Sequence, residues 1–564
     1  MPTLSPPPFH AVPSPIAGLV NLSHLDRLST EVLLAGSPAL FTHIYSEAPA
    51  FGWDDAPGEG IAALDDVARA ALVYLTFWET TGDGRALARA RAALNFALAL
   101  DAGDGAFFNF FLDYDGTINR GGITSRDGFD WWACRALHAL ARGYATFLPL
   151  DPPYAARLRA AYLATEALLA ARVGVVGRFT TAHGLPAPAW LPADSAALSA
   201  LAVIALADFQ ASAPNERTHD LIVALADGLC AFQLGGPGAF PWGLHPHSLA
   251  APFPWHAWGS HEAQALARAG RLLGRPDWIA SARREVDGFF AWQLLQGHVH
   301  ALSPLPESSG QQAYGINCLV QAALECHHAT GDPAYARLAG LHASWFTGNN
   351  SAAQPTYDPA TGRGHDGIDR DGAVSPHAGA ESTIEALLAL QGVLSVPEAA
   401  RYLHHCARPG SGWQRLVATP VAPRDQPAEA LASVADFTLA TAGDYLLYLA
   451  TVGSPADDRP ADERSVAADA RSGNVIQVPH TARFDNAAPL PRPTRRTEHS
   501  SPWLDLLTPA PVPLAAGPHR LHLDGGPAEL LLQPAHAART FVGPDGDELG
   551  LSLDLTTGIL RWRG

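Results

Sequence analysis

The sequence predicts a mainly α-helical chain: an (α/α)6 toroid of six helical hairpins followed by a C-terminal, jelly-roll-like β-sandwich. Three observations predict it. Apolar residues recur at helical spacing over residues 55 to 400, as in Leu64, Val67, Ala71, Tyr74 and Leu75. Six times in that stretch one periodic segment ends near a Gly, Asp or Pro turn and another begins at once. From Pro409 onward the pattern changes to period-two alternation, as in LVATPVA, HRLHLDGGPAELLLQP and LGLSLDLTTGILRW, with Gly and Asp between the runs.

Taken in order, the hairpins begin at ETTGDGRALARARAALNFAL from Glu79, LPLDPPYAARLRAAYLATEALL from Leu148 and SAPNERTHDLIVALADGLCAF from Ser212. RLLGRPDWIASARREVDGFFAW from Arg271, HATGDPAYARLAGLHASWF from His328 and LSVPEAARYLHHCAR from Leu394 complete the set. The first helices are expected near 60–80, 128–146, 193–212, 258–273, 312–329 and 378–394. Their partners are expected near 85–100, 153–172, 215–233, 276–294, 333–347 and 396–406. Six consecutive hairpins can close on themselves with the first helices inside. Residues 1–54 form an N-terminal extension, 55–407 the toroid and 408–564 the β-sandwich. Within the sandwich the polar, Pro-containing stretch SPADDRPADERSVAADARSGN reads as a loop.

Composition narrows the function. At 564 residues the chain is long enough for two cores. Its formal charge of -18 opposes nucleic acid and anionic membrane as partners. All 37 basic residues are Arg, so Schiff-base chemistry, pyridoxal phosphate and a Walker lysine are excluded. Five cysteines without a CxxC read as free thiols, and the N-terminus MPTLSPPPFHAVPSP lacks the regions of a signal peptide. No apolar run approaches a membrane span, so a cytoplasmic protein is expected.

Loop length locates the site. Turns within hairpins are short, whereas the connections 101–127, 174–192, 235–257, 295–311 and 348–377 are long, and in an alternating ring they emerge on one face. The last of these feeds a helix, and Tyr357 and His365 flank turn residues that suggest a short β-hairpin. Glu381 then falls in the first helical turn, where the helix dipole favours an ionised carboxylate.

The same face offers Asp130 and Glu262 near the starts of the second and fourth inner helices, with Asp55 beside Trp53 in reserve. These four acids are the candidate catalytic residues, because glycoside chemistry needs one carboxyl to donate a proton and another to act as base or nucleophile. Asp65 and Asp66 read as lying a turn inside their helix, in a capping or solvated role. Trp53, Trp190, Trp255 and Trp258 supply aromatic faces for pyranose rings, with His261, Gln311, Gln312, Tyr357 and His377 as polar contacts. Asp130 also fits a plain helix cap. His245, His247, His256 and His261 lack metal-site spacing. No metal and no cofactor is expected.

Beside these residues stands a resemblance. The run GD-x-x-YA-x-x-A, the Gln311-Gln312 pair and above all YDPATGRGHDGI followed by GAESTIEALLAL resemble the six-hairpin glycosidase superfamily. More narrowly they resemble a bacterial branch of it found near glycosyltransferases. The resemblance spans roughly residues 55 to 400 and implies an (α/α)6 fold and a carbohydrate, an oligosaccharide or glycoconjugate, as substrate class. The alternating C-terminal segments resemble sugar-binding jelly-roll modules. A glycoside hydrolase, a sugar epimerase using His256, His261 and His377, and a silent glycan-binding protein remain open.

Overall fold

Helical hairpins follow one another along the chain because each first helix is stopped by a residue that cannot continue it. Gly82, Gly274 and Gly331 end three of them in the left-handed conformation, where glycine carries no Cβ penalty. In four hairpins the next helix starts after two to four residues on a side-chain cap: Asp83 for Gly84–Ala99, Asp151 for Pro152–Arg172, Asn215 for Glu216–Ala231 and Asp332 for Pro333–Ala343. The computed structural model describes residues 16–182, 185–248, 255–302, 305–308, 310–410, 412–421, 432–450, 482–484, 489–490, 504–508, 510–524 and 528–564. The N-terminal MPTLSPPPFHAVPSP and the polar loop expected from Ser454 lie outside them.

The inner helices are α1 (Leu64–Thr81), α3 (Trp131–Phe147), α5 (Ala196–Ser212), α7 (Glu262–Leu273), α9 (Ala313–Thr330) and α11 (Ala380–Leu394). Each packs on the next and α11 returns to α1, so the ring is closed. The outer helices are α2 (Gly84–Ala99), α4 (Pro152–Arg172), α6 (Glu216–Ala231), α8 (Pro276–Glu285), α10 (Pro333–Ala343) and α12 (Pro397–Ala400). Beyond Glu285 the fourth outer helix runs on through a π-turn at Val286–Phe290 to Ala291–Gln296. Helix α5 is apolar all round, as a helix enclosed on every side must be.

The sixth outer helix departs from expectation. Instead of spanning 396–406 it is one turn long. The chain is then drawn off by β-pairing, Cys406 opposite Val542 and Ala407 opposite Phe541, while buried His405 bonds Asp547 at 3.1 Å. The first 54 residues are also more than an extension. Ser29–Leu34 pairs with Ser37–Thr42 and Tyr45–Glu47 with Gly52–Asp54, and Leu40 and Phe41 of these hairpins are buried in the toroid core.

The C-terminal domain is antiparallel throughout. Strands β1 (Gln414–Val421), β2 (Ala432–Leu439), β3 (Gly443–Ala450), β4 (Ala482–Phe484), β5 (Leu504–Leu506), β6 (Val512–Leu514), β7 (Gly517–Asp524) and β8 (Ala528–Pro534) make one curled sheet. Its order is β4-β7-β2-β1-β8-β3-β5, with β6 also on β3. Alternation explains its two faces: Tyr445, Leu447 and Leu449 point into the domain's own core, whereas Leu446, Tyr448 and Ala450 join the toroid's. A second sheet joins Cys406–Ala407, β9 (His536–Val542), β10 (Glu548–Asp554) and β11 (Ile559–Arg563). The third long connection and the end of the fourth outer helix dock this domain. Phe240 packs against Tyr448 at 5.4 Å between ring centroids, and Trp292 donates to Gln533 at 3.2 Å. Among the described residues no helix is long and apolar enough to cross a membrane.

Candidate functional site

At two inner helices, α1 and α11, loop residues replace the missing side-chain cap. Asn109, from the first long loop, accepts the Leu64 and Asp65 amides through its carbonyl and side-chain oxygens, which fixes the start of α1. Asp366 does the same for α11, accepting from the Gly379 amide at 2.8 Å and the Ser382 hydroxyl at 2.6 Å. The expected hairpin is present, with Tyr357 opposite Gly364 and Asp358 opposite Arg363. It lies so close to α11 that a Cβ on Gly364 would stand 2.6 Å from the Ser382 carbonyl oxygen.

At the ring axis these starts converge on Arg69. Its guanidinium reaches four carboxylates: Asp66 at 2.9 Å and Asp65 at 3.3 Å on its own helix, and Glu385 at 2.7 Å and Glu381 at 3.2 Å on α11. Arg135 from α3 lies 3.3 Å from Asp65 and donates to the Tyr314 hydroxyl, and Asn317 donates to Glu385 at 2.6 Å. Burial divides the cluster. Arg69, Asp66 and Glu385 are sealed, whereas the Glu381 side chain is 42% exposed and that of Asp65 33%. Both exposed acids face one Arg69 nitrogen, at 3.2 and 3.3 Å, so these two oxygens are no further apart than about 6.5 Å, the sum of those distances.

Four acids share one guanidinium, with a second beside it, so full ionisation would leave excess negative charge. The Asp66 carboxyl is accordingly pushed up to about 7, by burial first and then by its acidic neighbours, against the pull of Arg69. Glu381 is raised as well, by burial among surrounding protein atoms and by Glu385 and Asp65, with Arg69 opposing. Sequence reasoning expected the helix terminus to lower it; enclosure outweighs the dipole. The raised proton affinities of Asp66 and Glu381 thus follow from enclosure together with the excess of acid in the cluster. Behind it lies a cavity of about 280 Å³ in the other half of the ring, lined by Arg142, His138, Arg268 and Glu325.

The remaining expected residues scatter. Glu262 is fully buried, and burial with Glu285 nearby holds its carboxyl well above the usual range. Its nearest charged-type partner is buried His247, 3.9 Å away, so it does not line the cleft. Asp130 caps α3, accepting from the Trp131 amide at 2.8 Å. Asp55 is exposed and contacts His43 at 3.4 Å, on which Trp53 stacks at 4.6 Å.

Two of the four expected tryptophan platforms are core. Trp190 is buried and donates to the Ala224 carbonyl, and Trp255 is buried and donates to Ser260. Trp53 is exposed and Trp258 half-buried between His256 and His300. Trp131 is exposed instead, while Trp132 beside it is core.

Gln311 is buried, accepting from Trp345 and donating to the His298 carbonyl, and half-buried Gln312 precedes α9. Tyr357 is buried and donates to the Leu19 carbonyl. His377 stays open at the rim, paired with Glu47. His261 is buried, with Nδ1 2.7 Å from Gln264 and Nε2 3.5 Å from Cys318, and burial pushes it down to about 3. Among the described residues no three His, Cys, Asp or Glu side chains are grouped to hold a metal ion.

Asp65 was read as lying a turn inside its helix because α1 was expected from near 60, whereas it starts at Leu64. The missing signal was Asn109, whose capping role is invisible in a linear pattern.

No family model and no curated protein sequence matches the chain. Solved structures similar to it include a sugar epimerase from a ruminal bacterium, at 11% identity and TM-score 0.48 over 63% of this chain and 92% of that one. The cellobiose 2-epimerase of Spirochaeta thermophila follows at 14% and 0.46, over 63% and 90%. An inactive variant of an α-1,6-mannanase from a Salegentibacter species, in complex with α-1,6-mannotriose, is similar at 10% and 0.42, over 67% and 96%.

Proposed function

We propose that this protein is a carbohydrate-active enzyme that hydrolyses a glycoside, with Glu381 as the proton-donating carboxyl and Asp65 as its partner. The observation that supports this is the single pair of carboxyls left open on the Arg69 cluster, no more than about 6.5 Å apart between their Arg69-facing oxygens. One carries a raised affinity for its proton and so retains it for the leaving oxygen. The other, held by Arg69 and Arg135, is placed to act as base or nucleophile. Proton transfer to the glycosidic oxygen, cleavage of the C1–O bond and addition of water balance the reaction. The sequence resemblance to six-hairpin glycosidases agrees with this chemistry.

Glu381→Gln and Asp65→Asn, assayed on a panel of α- and β-mannosides, glucosides and galactosides, should each lose about 10²- to 10⁴-fold in kcat while still binding the ligand. Unchanged turnover in both variants overturns the assignment. Absence of turnover in the wild type on every glycoside favours a silent glycan-binding protein.

The epimerase reading rests on rim-exposed His377 and its partner Glu47, because both ring nitrogens of His261 are engaged and burial pushes His256 down to about 4. Deuterium entering a sugar C–H position from heavy water would mark epimerisation. A new reducing end marks hydrolysis.

A further inference from the structure

The outer face of the four-stranded sheet carries a groove that the ring site does not use. Even-numbered residues of β9 and β10 turn away from the toroid, whereas Ala537, Phe541, Leu549, Leu551 and Leu553 pack into its core. The outward residues are small along the middle and cationic along the sides. Thr540 lies opposite Gly550, which lies opposite Arg563; Ala538 lies opposite Ser552, which lies opposite Arg561. Arg408, whose amide bonds the Thr540 carbonyl, closes the other side of the first row. Gly550 is what lets Arg563 lie close, since a Cβ there would stand 3.3 Å from the Arg563 Cβ. The result is a half-open groove of about 520 Å³.

Its charge is the opposite of the molecule's. Arg408 is paired with Glu548, but Arg561 and Arg563 are exposed and make no ion pair among the described residues. Two acids share the face: Glu548 is the partner of Arg408, and Asp554 accepts from the Thr556 amide and hydroxyl with His536 3.8 Å away. On a chain of formal charge -18, two free guanidiniums above a strip of small and hydroxyl residues mark a place for anionic groups. The same net charge opposes a long polyanion. Thr540, Ser552 and His536 offer hydrogen bonds for hydroxyl groups between the charges.

We propose that this groove binds a short acidic oligosaccharide, its carboxylate or sulfate groups held by Arg561 and Arg563. The choice of a saccharide rests on the proposed function of the ring; the requirement for anionic groups does not. Titration calorimetry of the full chain with tetragalacturonate, its methyl ester and a heparin-derived tetrasaccharide tests it. At least one acidic probe should bind, the uncharged ester should not, and Arg561→Ala/Arg563→Ala should weaken binding at least tenfold with an unchanged thermal midpoint. Glu381→Gln should leave that affinity unchanged, so failure of the ring assignment and failure of the groove are read separately. Absence of binding by both acidic probes, or binding unaffected by the double variant, overturns the proposal. So does equal affinity for a single-stranded oligonucleotide, which would make the face a nucleic-acid surface.

Discussion

Replacing Arg69 by Met leaves a shorter, unbranched apolar side chain and removes the cation on which four carboxylates converge. The consequence is set by which of them are buried. Glu381 and Asp65 can turn to solvent, but Asp66 and Glu385 are sealed and would be left without the guanidinium that compensates them. Breaking a buried pair in this way costs about 3–5 kcal/mol. The cost depends on pH, with a sign fixed by the raised Asp66 value. A carboxyl held above its unfolded value stabilises the fold when protonated, and that contribution is lost as pH rises from the unfolded value of 3.8 through about 7.

Without Arg69 the folded Asp66 value moves higher still, so Arg69→Met should be damaging at pH 8 and much less so at pH 5. Urea denaturation followed by helical circular dichroism at both pH values measures this. A difference from wild type below about 1 kcal/mol at pH 8, or equal at the two pH values, would refute the account of a cation compensating buried acids. Arg69→Lys should fall between, because an ammonium cannot present a planar fork to several carboxylates.

Glu262→Gln should flatten the dependence of stability on pH. The folded carboxyl is raised well above 4.5, so wild-type stability is full below that value and falls by about 1.4 kcal/mol per unit above it, and Gln removes the ionisation. Trp190→Ala should cost about 3–5 kcal/mol in denaturant as a buried indole, whereas exposed Trp131→Ala should cost under about 1 kcal/mol and weaken oligosaccharide binding, read by fluorescence. Gly364→Ala should force the hairpin off α11, lowering turnover with a stability loss of about 1–3 kcal/mol, since its Cβ would meet backbone. A Gly364→Ala enzyme with normal kcat would show that the hairpin does not position Glu381.

Much of this fold is legible in the sequence because ring helices obey local rules. Apolar spacing placed all six inner helices to within about four residues, and the alternation after Pro409 announced the sheets. Failures arose where distant contacts decide. The chain after Ala400 leaves the helix because β9 offers an edge, and the hairpins before residue 54 form because α1 and α2 offer an apolar wall. The place of Glu381 in the first turn of a helix was legible from apolar spacing. Trp190, Trp255 and Glu262 were misjudged because a place in a loop or at a helix start does not say which way a side chain points, and the third long connection turns inward to carry the C-terminal domain. Asp65 sits beside Glu381 only once the ring closes and brings α11 against α1.

That closure also explains why the site is one-sided. A ring of six helices leaves an axial space open at both ends, yet Arg69, Arg135, Tyr314, Asn317 and Glu385 meet across it and separate the loop-face opening from the 280 Å³ cavity behind. Such a layer has to be polar, because side chains from opposite helices reach each other there end to end and bind through charge-assisted hydrogen bonds. It carries more acid than its cations match, and that excess, with enclosure, raises the proton affinity of Asp66 and Glu381. Buried Glu385 thereby raises the proton affinity of exposed Glu381, and if the proposed hydrolysis holds, Glu385→Gln should move its pH profile downward.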